Sequence, residues 1–292
     1  MPKAIRLSEL KVGAIINTSS GRCDPESEQK IFSILTRGGI VEPKVWCGEA
    51  KEMERSFAEA AGQELEVLIV LGGDGTIRTA AEACAKEGSY LIPLRGGTMN
   101  MLPRALYGDV TWEDALKNAL TAPSAKVLSG GRIADKRFFI AAIMGSPVLW
   151  AEPRESVREG AIIDAIEKGS VAFRNMFETK VKYFISEEIK GEAEAVVLIC
   201  PLISEEMSDS EQALEAAVID VESAAEVIGL ASTAAFGRWR DDRNIRLTKT
   251  KRVDVQSKKD IPATLDGERV NLGRSAEIDF VSRAVTVIVP AK

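Results

Sequence analysis

The residues best suited to chemistry form a glycine-rich segment, LGGDGT, at positions 71–76. It follows the apolar run 66–71, which is typical of a buried strand, and precedes a helix-like run that starts at Thr76. Its three glycines let the backbone approach a ligand closely and adopt positive φ. The N–H groups of such a turn, and of the helix N-terminus that follows it, attract phosphate oxygens. The segment therefore predicts a phosphate-binding turn.

An acidic residue, Asp74, stands inside this turn. Its carboxylate would repel phosphate groups unless a divalent cation lay between them. The sequence therefore predicts that Asp74 binds Mg²⁺. The alternative is structural: Asp74 or Thr76 caps the helix that follows, and the glycines form an ordinary strand-to-helix turn.

A second segment, PLRGGTMN at positions 93–100, repeats the order of strand, glycine turn and helix start. The carboxyl ends of neighbouring parallel strands meet at one edge of a sheet, where ligands bind in open α/β folds. We therefore expect both turns to hold one polyphosphate. Asn17 opens a further loop, NTSSGR, which is rich in hydrogen-bond donors but is also typical of a solvated turn. Neither glycine turn is a Walker A motif or a GxGxxG motif.

A late motif, TLDGE at positions 264–268, lies between two strand-like runs. Asp-Gly is the strongest short signal for a β-hairpin turn. The functional alternative is that Asp266 accepts the proton of a substrate hydroxyl group. That would suffice for phosphoryl transfer, because the loose transition state needs little prior deprotonation. At the level of the residues both interpretations stay open.

Taken in order, the motifs NxxSG, GGDGT, GGTxN and a late DGE resemble those of the diacylglycerol kinase catalytic family, which includes bacterial lipid kinases and sphingosine kinases. The resemblance extends over essentially the whole chain. It implies an ATP-dependent kinase that phosphorylates a hydroxyl group of a lipid, with ATP and Mg²⁺ as cofactors. It also implies an N-terminal nucleotide-binding domain, and a β-rich second domain whose final strand returns to the first.

Carried over to this sequence, the resemblance implies a set of site residues. Those expected at the ATP are Asn17, Gly72, Gly73, Asp74, Gly75, Thr76, Gly97 and Thr98, with Asp74 also binding Mg²⁺. Asp266 is the expected catalytic base, and Glu268 lies beside it. The sequence departs from the family at Arg78 and Thr79, where Asn-Glu is usual, and at Met101, where an acidic residue is usual.

Two alternative functions stay open. A NAD kinase has a similar GGDGT segment, but the GGTMN loop and the late DGE favour a lipid kinase. A catalytically degenerate member would bind nucleotide or lipid and regulate a partner, which the residues at Arg78, Thr79 and Met101 suggest. The presence of Asp74 and Asp266 favours an active enzyme instead.

The chain has 292 residues, 45% of them hydrophobic, which is enough for two domains. Strand-like and helix-like runs alternate over residues 1–126 and predict an α/β nucleotide-binding domain with a parallel sheet. Residues 127–283 predict a β-rich, mainly antiparallel substrate domain, and the final strand over 284–292 is expected to return to the first domain.

Several individual elements are also predicted. Asp24 and Pro25 predict the start of the first helix, with Asp24 as its N-cap. Residues 137–144 predict a single strand, whereas 276–281 and 284–290 predict two strands. An amphipathic stretch over 154–179 and a helix-like run over 222–239 interrupt the strands.

The composition excludes several function classes. The chain has no histidine, which excludes histidine bases, Ser-His-Asp triads and histidine metal sites. A net charge of −6 with interspersed basic residues argues against a nucleic-acid partner. The four cysteines form no CxxC pair and are expected to be buried or incidental thiols.

No segment of the sequence has the pattern of a secretion signal or a membrane span, so we expect a cytoplasmic protein. Peripheral contact with the inner membrane face and a homodimer are both compatible with the sequence. The expected partner is a lipid or lipid-like hydroxyl substrate.

Overall fold

The computed structural model describes residues 5–21, 23–24, 26–146, 180–208, 210–221, 226 and 239–291. The chain divides into two compact units: unit 1 is built from residues 1–130 and 282–292, and unit 2 from residues 131–281. The predicted amphipathic stretch 154–179 and nearly all of the helix-like run 222–239 lie outside the described residues.

Strands and helices alternate in the first part of the chain. In chain order they are β1 Val12–Asn17, α1 Ser27–Arg37, β2 Lys44–Gly48, α2 Met53–Ala61, β3 Val67–Gly72, α3 Asp74–Glu87, β4 Tyr90–Arg95, α4 Met101–Tyr107, α5 Trp112–Thr121 and β5 Pro123–Ile133, with short 3₁₀ helices at Leu7–Glu9 and Ala50–Glu52. The last residues of β5 belong to unit 2.

The sheet of unit 1 is parallel, with the strand order β2–β1–β3–β4. All six residues of β1 and of β3 are buried, as expected for strands that are covered on both faces. Ile31 and Leu35 of α1 and Leu116 of α5 belong to the same apolar core as Ile69 of β3. The predicted parallel α/β architecture is confirmed.

The first helix begins later than predicted. It starts at Ser27, and its N-cap is Glu26. The Asp24 carboxylate accepts hydrogen bonds from the backbone N–H of Glu26 (2.9 Å) and the hydroxyl of Ser27 (3.1 Å). An aspartate side chain readily binds the backbone two residues ahead and so forms a turn of its own. The prediction of Asp24 as the N-cap is therefore wrong.

Unit 2 consists mainly of short strands. In chain order they are β6 Lys136–Phe138, β7 Ala141–Gly145, β8 Val181–Phe184, β9 Lys190–Ala193, β10 Ala195–Ile199, β11 Leu214–Ile219, β12 Ile245–Thr250, β13 Arg252–Gln256, β14 Pro262–Leu265, β15 Glu268–Asn271 and β16 Ser275–Pro290, of which the last residues belong to unit 1; a 3₁₀ helix lies at Trp239–Asp241.

The strands of unit 2 pair in an antiparallel manner. One sheet has the order β12–β11–β10–β7–β14–β15. In a second ladder, β13 lies between β16 and β8, and β9 follows β8. Phe138, Met144, Leu198 and Val255 lie in the apolar core of this unit. The predicted β-rich, mainly antiparallel architecture is confirmed.

Two strand predictions are wrong. The predicted strand 137–144 is divided into β6 and β7, because the N–H groups of Phe139 and Ile140 bind the carboxylate of Asp266 and not a neighbouring strand. The two strands predicted over 276–281 and 284–290 form one continuous strand, β16. Its first residues pair with β13, and Thr286 and Val287 pair in parallel with β4 in unit 1.

Candidate phosphate-binding site

The two glycine turns follow adjacent strands of unit 1 and are in direct contact. The backbone N–H of Gly96, after β4, donates to the carbonyl oxygen of Gly72, at the end of β3 (2.8 Å). A Cβ atom on Gly96 would lie 2.9 Å from both Cα and N of Gly72, and one on Gly97 would lie 2.7 Å from Cα of Gly73. Side chains at these positions would therefore force the two turns apart.

The physical reason for these glycines differs from the expectation. None of Gly72, Gly73, Gly75, Gly96 and Gly97 has a positive φ angle. The expectation of positive φ in the first turn is therefore wrong. Glycine is required at Gly96 and Gly97 because two backbones approach so closely that they leave no room for a Cβ atom. At Gly72 a Cβ atom would instead lie 2.8 Å from Cβ of Thr76.

Asp74 connects the first turn to the second. Its two carboxylate oxygens accept hydrogen bonds from the backbone N–H groups of Asn100 (2.9 Å) and Met101 (2.7 Å). Met101 is the first residue of α4, so Asp74 caps a helix that begins 27 residues later. The structural alternative, in which Asp74 or Thr76 caps the helix that follows the first turn, is wrong, because the N-cap of α3 is Gly73, which has no side-chain cap.

Asn100 holds the second turn closed. It is fully buried and has a left-handed backbone with φ 52°. Its side chain accepts a hydrogen bond from the N–H of Gly97 (2.8 Å) and donates one to the carbonyl of Gly97 (2.7 Å). The sequence pattern predicted only a helix start at Asn100, not a side chain that closes the turn. The available signal was the residue type, because asparagine tolerates the left-handed conformation better than most residues.

The loop after β1 reaches the same edge of the sheet. The Asn17 side-chain amide donates to the hydroxyl oxygen of Thr76 (2.9 Å), and the N–H of Ser19 donates to Asn17 Oδ1 (3.1 Å). The Ser20 hydroxyl oxygen lies 3.7 Å from the position of a Cβ on Gly73. The loops after β1, β3 and β4 therefore converge. The strand order changes direction between β1 and β3, which is where open α/β sheets bind ligands.

This edge is rich in hydrogen-bond donors. The first backbone bond of α3 runs from the N–H of Ile77 to the carbonyl of Gly73 (3.0 Å), so the N–H groups of Asp74, Gly75 and Thr76 precede the helical ladder. Thr76 Oγ1 accepts a hydrogen bond from Asn17, so the Thr76 hydroxyl proton points away from Asn17 and can be donated to another group. Thr98 is exposed on the second turn. These groups can donate to phosphate oxygens.

Two arginines adjoin the glycine turns in the chain. Arg78 lies one helical turn after Asp74, and Arg95 directly precedes Gly96. The Nε atom of each is buried without a hydrogen-bond partner among the residues that the structure describes. A buried donor without a partner costs about 1–3 kcal/mol. The Arg95 charge is already paired, because its Nη1 donates to Asp109 (2.6 Å) and to the carbonyl of Val110 (2.8 Å). An anion is the type of ligand whose charge matches Arg78.

The donor set also fits Mg²⁺ in combination with a phosphate ligand. Mg²⁺ is commonly bound by one or two carboxylates together with substrate phosphates. Within the described ranges, three or more Cys, Asp and Glu side chains do not come together as a metal site. Asp74 would therefore supply a single carboxylate, and phosphates and water would complete the coordination shell.

Asp266 belongs to unit 2 and lies in a hairpin turn. Leu265 and Glu268 pair across the turn, and the φ angles of Asp266 (51°) and Gly267 (85°) are both positive, as in a type I′ turn. The hairpin interpretation is thus confirmed. Glu268, the first residue of β15, is exposed.

The Asp266 carboxylate is buried and forms part of a backbone network. It accepts hydrogen bonds from the N–H groups of Phe139 (2.9 Å), Ile140 (2.9 Å) and Ala141 (3.0 Å). The residue is only 6% exposed. Asp266 therefore fixes the segment between β6 and β7. Its role as a proton acceptor stays a prediction.

Residues 11–130 match the family model described as the diacylglycerol kinase catalytic domain. The matched region contains the three converging loops of unit 1. The predicted resemblance to this family is confirmed for this part of the chain.

Three solved structures from Bacillus anthracis str. Sterne have a similar fold. A diacylglycerol kinase is 17% identical with a TM-score of 0.67, and the alignment covers 96% of each chain. Two further proteins, named provisionally as diacylglycerol kinases, are 19% and 18% identical with TM-scores of 0.74 and 0.72; the alignments cover 96% of this chain and 95% and 97% of theirs. At these identities the similarity establishes the fold alone.

Proposed function

We propose that this protein is an ATP-dependent lipid kinase, which transfers the γ-phosphoryl group of ATP to a hydroxyl group of diacylglycerol or a related lipid. The proposal rests mainly on the contact between two glycine turns that follow adjacent parallel strands. Asp74 of the first turn accepts hydrogen bonds from the N–H groups of Asn100 and Met101, at the start of α4. The family match of residues 11–130 supports a lipid acceptor.

In this proposal the residues of unit 1 position the triphosphate. The N–H groups at the start of α3 and the hydroxyl groups of Thr76 and Thr98 donate hydrogen bonds to its oxygens. Asn17 orients the Thr76 hydroxyl group. Asp74 contributes a carboxylate to Mg²⁺, which when bound neutralises phosphate charge.

The residues of unit 2 act on the acceptor in this proposal. Asp266 receives the proton of the lipid hydroxyl group, and Glu268 is the neighbouring carboxylate. Phosphoryl transfer depends mainly on positioning and charge stabilisation, so a carboxylate held rigidly by backbone N–H groups is suited to orienting a hydroxyl group. None of the described helices is long and apolar enough to span a bilayer. We propose that the protein reaches its lipid by peripheral contact.

The test compares two variants of Thr98, which is exposed and can be changed without disturbing the core. Purified protein is incubated with labelled ATP, Mg²⁺ and either diacylglycerol, ceramide, a sphingoid base or NAD. We expect a labelled lipid. Thr98→Val should raise the KM for ATP by about fivefold, because a lost hydrogen bond costs about 1 kcal/mol. Thr98→Ser keeps the hydroxyl group and should behave like the original protein.

Two outcomes would contradict the proposal. Phosphorylation of NAD with no labelled lipid would identify a NAD kinase. Thermal stabilisation by ATP without turnover on any acceptor would identify a nucleotide-binding regulator, because ligand binding alone raises the melting temperature.

A further inference from the structure

Arg78 lies on the same face of α3 as Asp74, the residue that connects the two glycine turns. Residues four positions apart on a helix are neighbours, with Cβ atoms about 5–6 Å apart. Helical side chains also lean towards the N-terminus, so Arg78 covers the turn that contains Asp74. Asp74 accepts hydrogen bonds from the N–H groups of Asn100 and Met101. This face of α3 is therefore directed towards the second glycine turn.

The Arg78 guanidinium group has no partner in the part of the chain that the structure describes. Its Nε atom is buried without a hydrogen bond, and it forms no ion pair with a described carboxylate. The carboxylate of Asp74 is directed to the start of α4 instead. Arg95 provides the contrast, because its Nε is equally buried but its Nη1 donates to Asp109 (2.6 Å). Of these two arginines beside the glycine turns, Arg78 is the one without an acidic partner.

We infer that Arg78 is a further phosphate-binding residue, whose guanidinium group donates hydrogen bonds to the polyphosphate of the nucleotide. Arg78 would act on the triphosphate of the proposed function, so the inference rests on that function. A guanidinium group presents five N–H donors in a planar fork that matches two oxygens of a phosphate. The phosphate would supply the partner that the buried Nε lacks, at the end of α3 where free N–H groups also attract it.

This role has opposite effects on the ligand-free and the nucleotide-bound protein. Without nucleotide, Arg78 leaves a buried donor unsatisfied and so lowers the stability of unit 1. With nucleotide bound, the same group forms charge-assisted hydrogen bonds, which are roughly twice as strong as neutral ones. An arginine with a purely structural role would stabilise the ligand-free protein. The melting temperature without ligand therefore distinguishes the two roles.

The test measures the affinity of the full chain for ATP and for inorganic tripolyphosphate by isothermal titration calorimetry, with Mg²⁺ and without a lipid acceptor. Arg78→Met keeps an apolar side chain but removes the charge and its donors. We expect both dissociation constants to rise by roughly 10- to 100-fold. Because tripolyphosphate has no nucleoside, a similar loss for both ligands assigns the contact to the phosphates. Without ligand, Arg78→Met should melt at the original temperature or up to roughly 4 °C higher.

Two further variants control for charge and for the loss of any arginine. Arg78→Lys keeps the charge but not the planar fork, so its affinities should lie between those of the original protein and Arg78→Met. Arg55 is exposed on α2 and pairs with Glu59 (2.9 Å), so Arg55→Met should leave both affinities unchanged.

Three results would overturn the role of Arg78 while leaving the proposed function intact. They are unchanged affinities in Arg78→Met, a loss for ATP alone, and a ligand-free Arg78→Met that melts below the original protein. If the original protein bound neither ATP nor tripolyphosphate, the proposed function would fail together with this inference.

Discussion

Asp74 illustrates how an acidic residue can occupy a turn that is suited to phosphate. Both of its oxygens accept hydrogen bonds from the N-terminus of α4, where the helix dipole favours a negative charge. Part of the repulsion between carboxylate and phosphate is thereby offset within the protein, before any cation binds. The same two bonds connect the first glycine turn to the start of α4, so Asp74 helps to position the candidate site in addition to its proposed role in binding Mg²⁺.

Asn100 provides a test of how far the second turn depends on one side chain. Asn100→Ala removes both bonds to Gly97 and leaves alanine in a left-handed conformation. We expect the free energy of unfolding to fall by about 2–3 kcal/mol, measured by urea denaturation. Asn100→Gly loses the same bonds but tolerates positive φ, so it should be less destabilised than the alanine variant. Equal stabilities for the original protein and Asn100→Ala would contradict this role.

Asp266→Asn isolates the contribution of the carboxylate in the hairpin turn. Asparagine suits a type I′ turn as well as aspartate does, so the turn itself is not disfavoured. The amide, however, has one acceptor oxygen and brings N–H donors towards the N–H groups of residues 139–141. We expect a loss of about 3 kcal/mol in the free energy of unfolding. Glu268→Gln, an exposed change in the same hairpin, should alter stability by less than about 0.5 kcal/mol.

This destabilisation determines how the catalytic role of Asp266 can be examined. A loss of kinase activity in Asp266→Asn has two possible causes, a missing proton acceptor and a displaced 139–141 segment. Activity should therefore be measured at a temperature where circular dichroism shows the variant to be folded. A folded variant with full activity would contradict the proposed proton-acceptor role and leave the structural role intact.

At the scale of the elements, a buried acid lies where four strands of unit 2 come together. Glu194 lies between β9 and β10, is 1% exposed and accepts a hydrogen bond from the Ser146 hydroxyl at the end of β7 (3.0 Å). Lys180, next to β8, places its ammonium group 3.9 Å from Glu194 and also contacts Asp220. Burial raises the pKa of Glu194 and Asp220 adds to the rise, whereas Ser146 and Lys180 lower it.

The raised pKa of Glu194 predicts a dependence of stability on pH. Below the ordinary glutamate pKa the residue is protonated in both the folded and the unfolded chain, and its contribution is fully present. As pH rises from that value through the raised folded-state pKa, the unfolded chain releases the proton first, and stability falls. Glutamine in the Glu194→Gln variant does not ionise, so this pH dependence is absent from the variant. Urea denaturation of both proteins from pH 4 to 8 should show the variant gaining stability relative to the original as pH rises. A constant difference would contradict the prediction.

At the scale of the whole molecule, local sequence patterns predicted the secondary-structure elements better than they predicted the long-range contacts. The apolar runs of β1 and β3 and the glycines after β3 and β4 identified the parallel sheet and its turns. The strands β9 and β15 were missed because their residues are mostly exposed and polar, which leaves no apolar alternation to detect. The hydrogen bonds that Asp74 accepts at the start of α4 span 26–27 positions. Those that Asp266 accepts from residues 139–141 span 125–127 positions. No local sequence pattern predicts such long-range contacts.

The continuous strand β16 carries a prediction about which residues unit 1 needs in order to fold. Thr286 and Val287 pair with β4, Val287 and Ile288 are fully buried, and the Tyr107 hydroxyl donates to the carbonyl of Ile288 (2.7 Å). Removing residues 284–292 would expose the edge of β4 and the apolar core beneath it.

We expect this truncation to lower the free energy of unfolding of unit 1 by more than about 5 kcal/mol, because burying each aliphatic side chain stabilises the fold by roughly 1.5–3 kcal/mol. Since a whole domain is stable by only about 5–15 kcal/mol, unit 1 should unfold although its own strands β1 to β4 are complete. Calorimetry of the truncated chain should then lack the unfolding transition of unit 1, while a chain that lacks only the last residue should keep it. An unchanged transition after the longer truncation would mean that β1 to β4 suffice to hold the sheet on which the glycine turns depend.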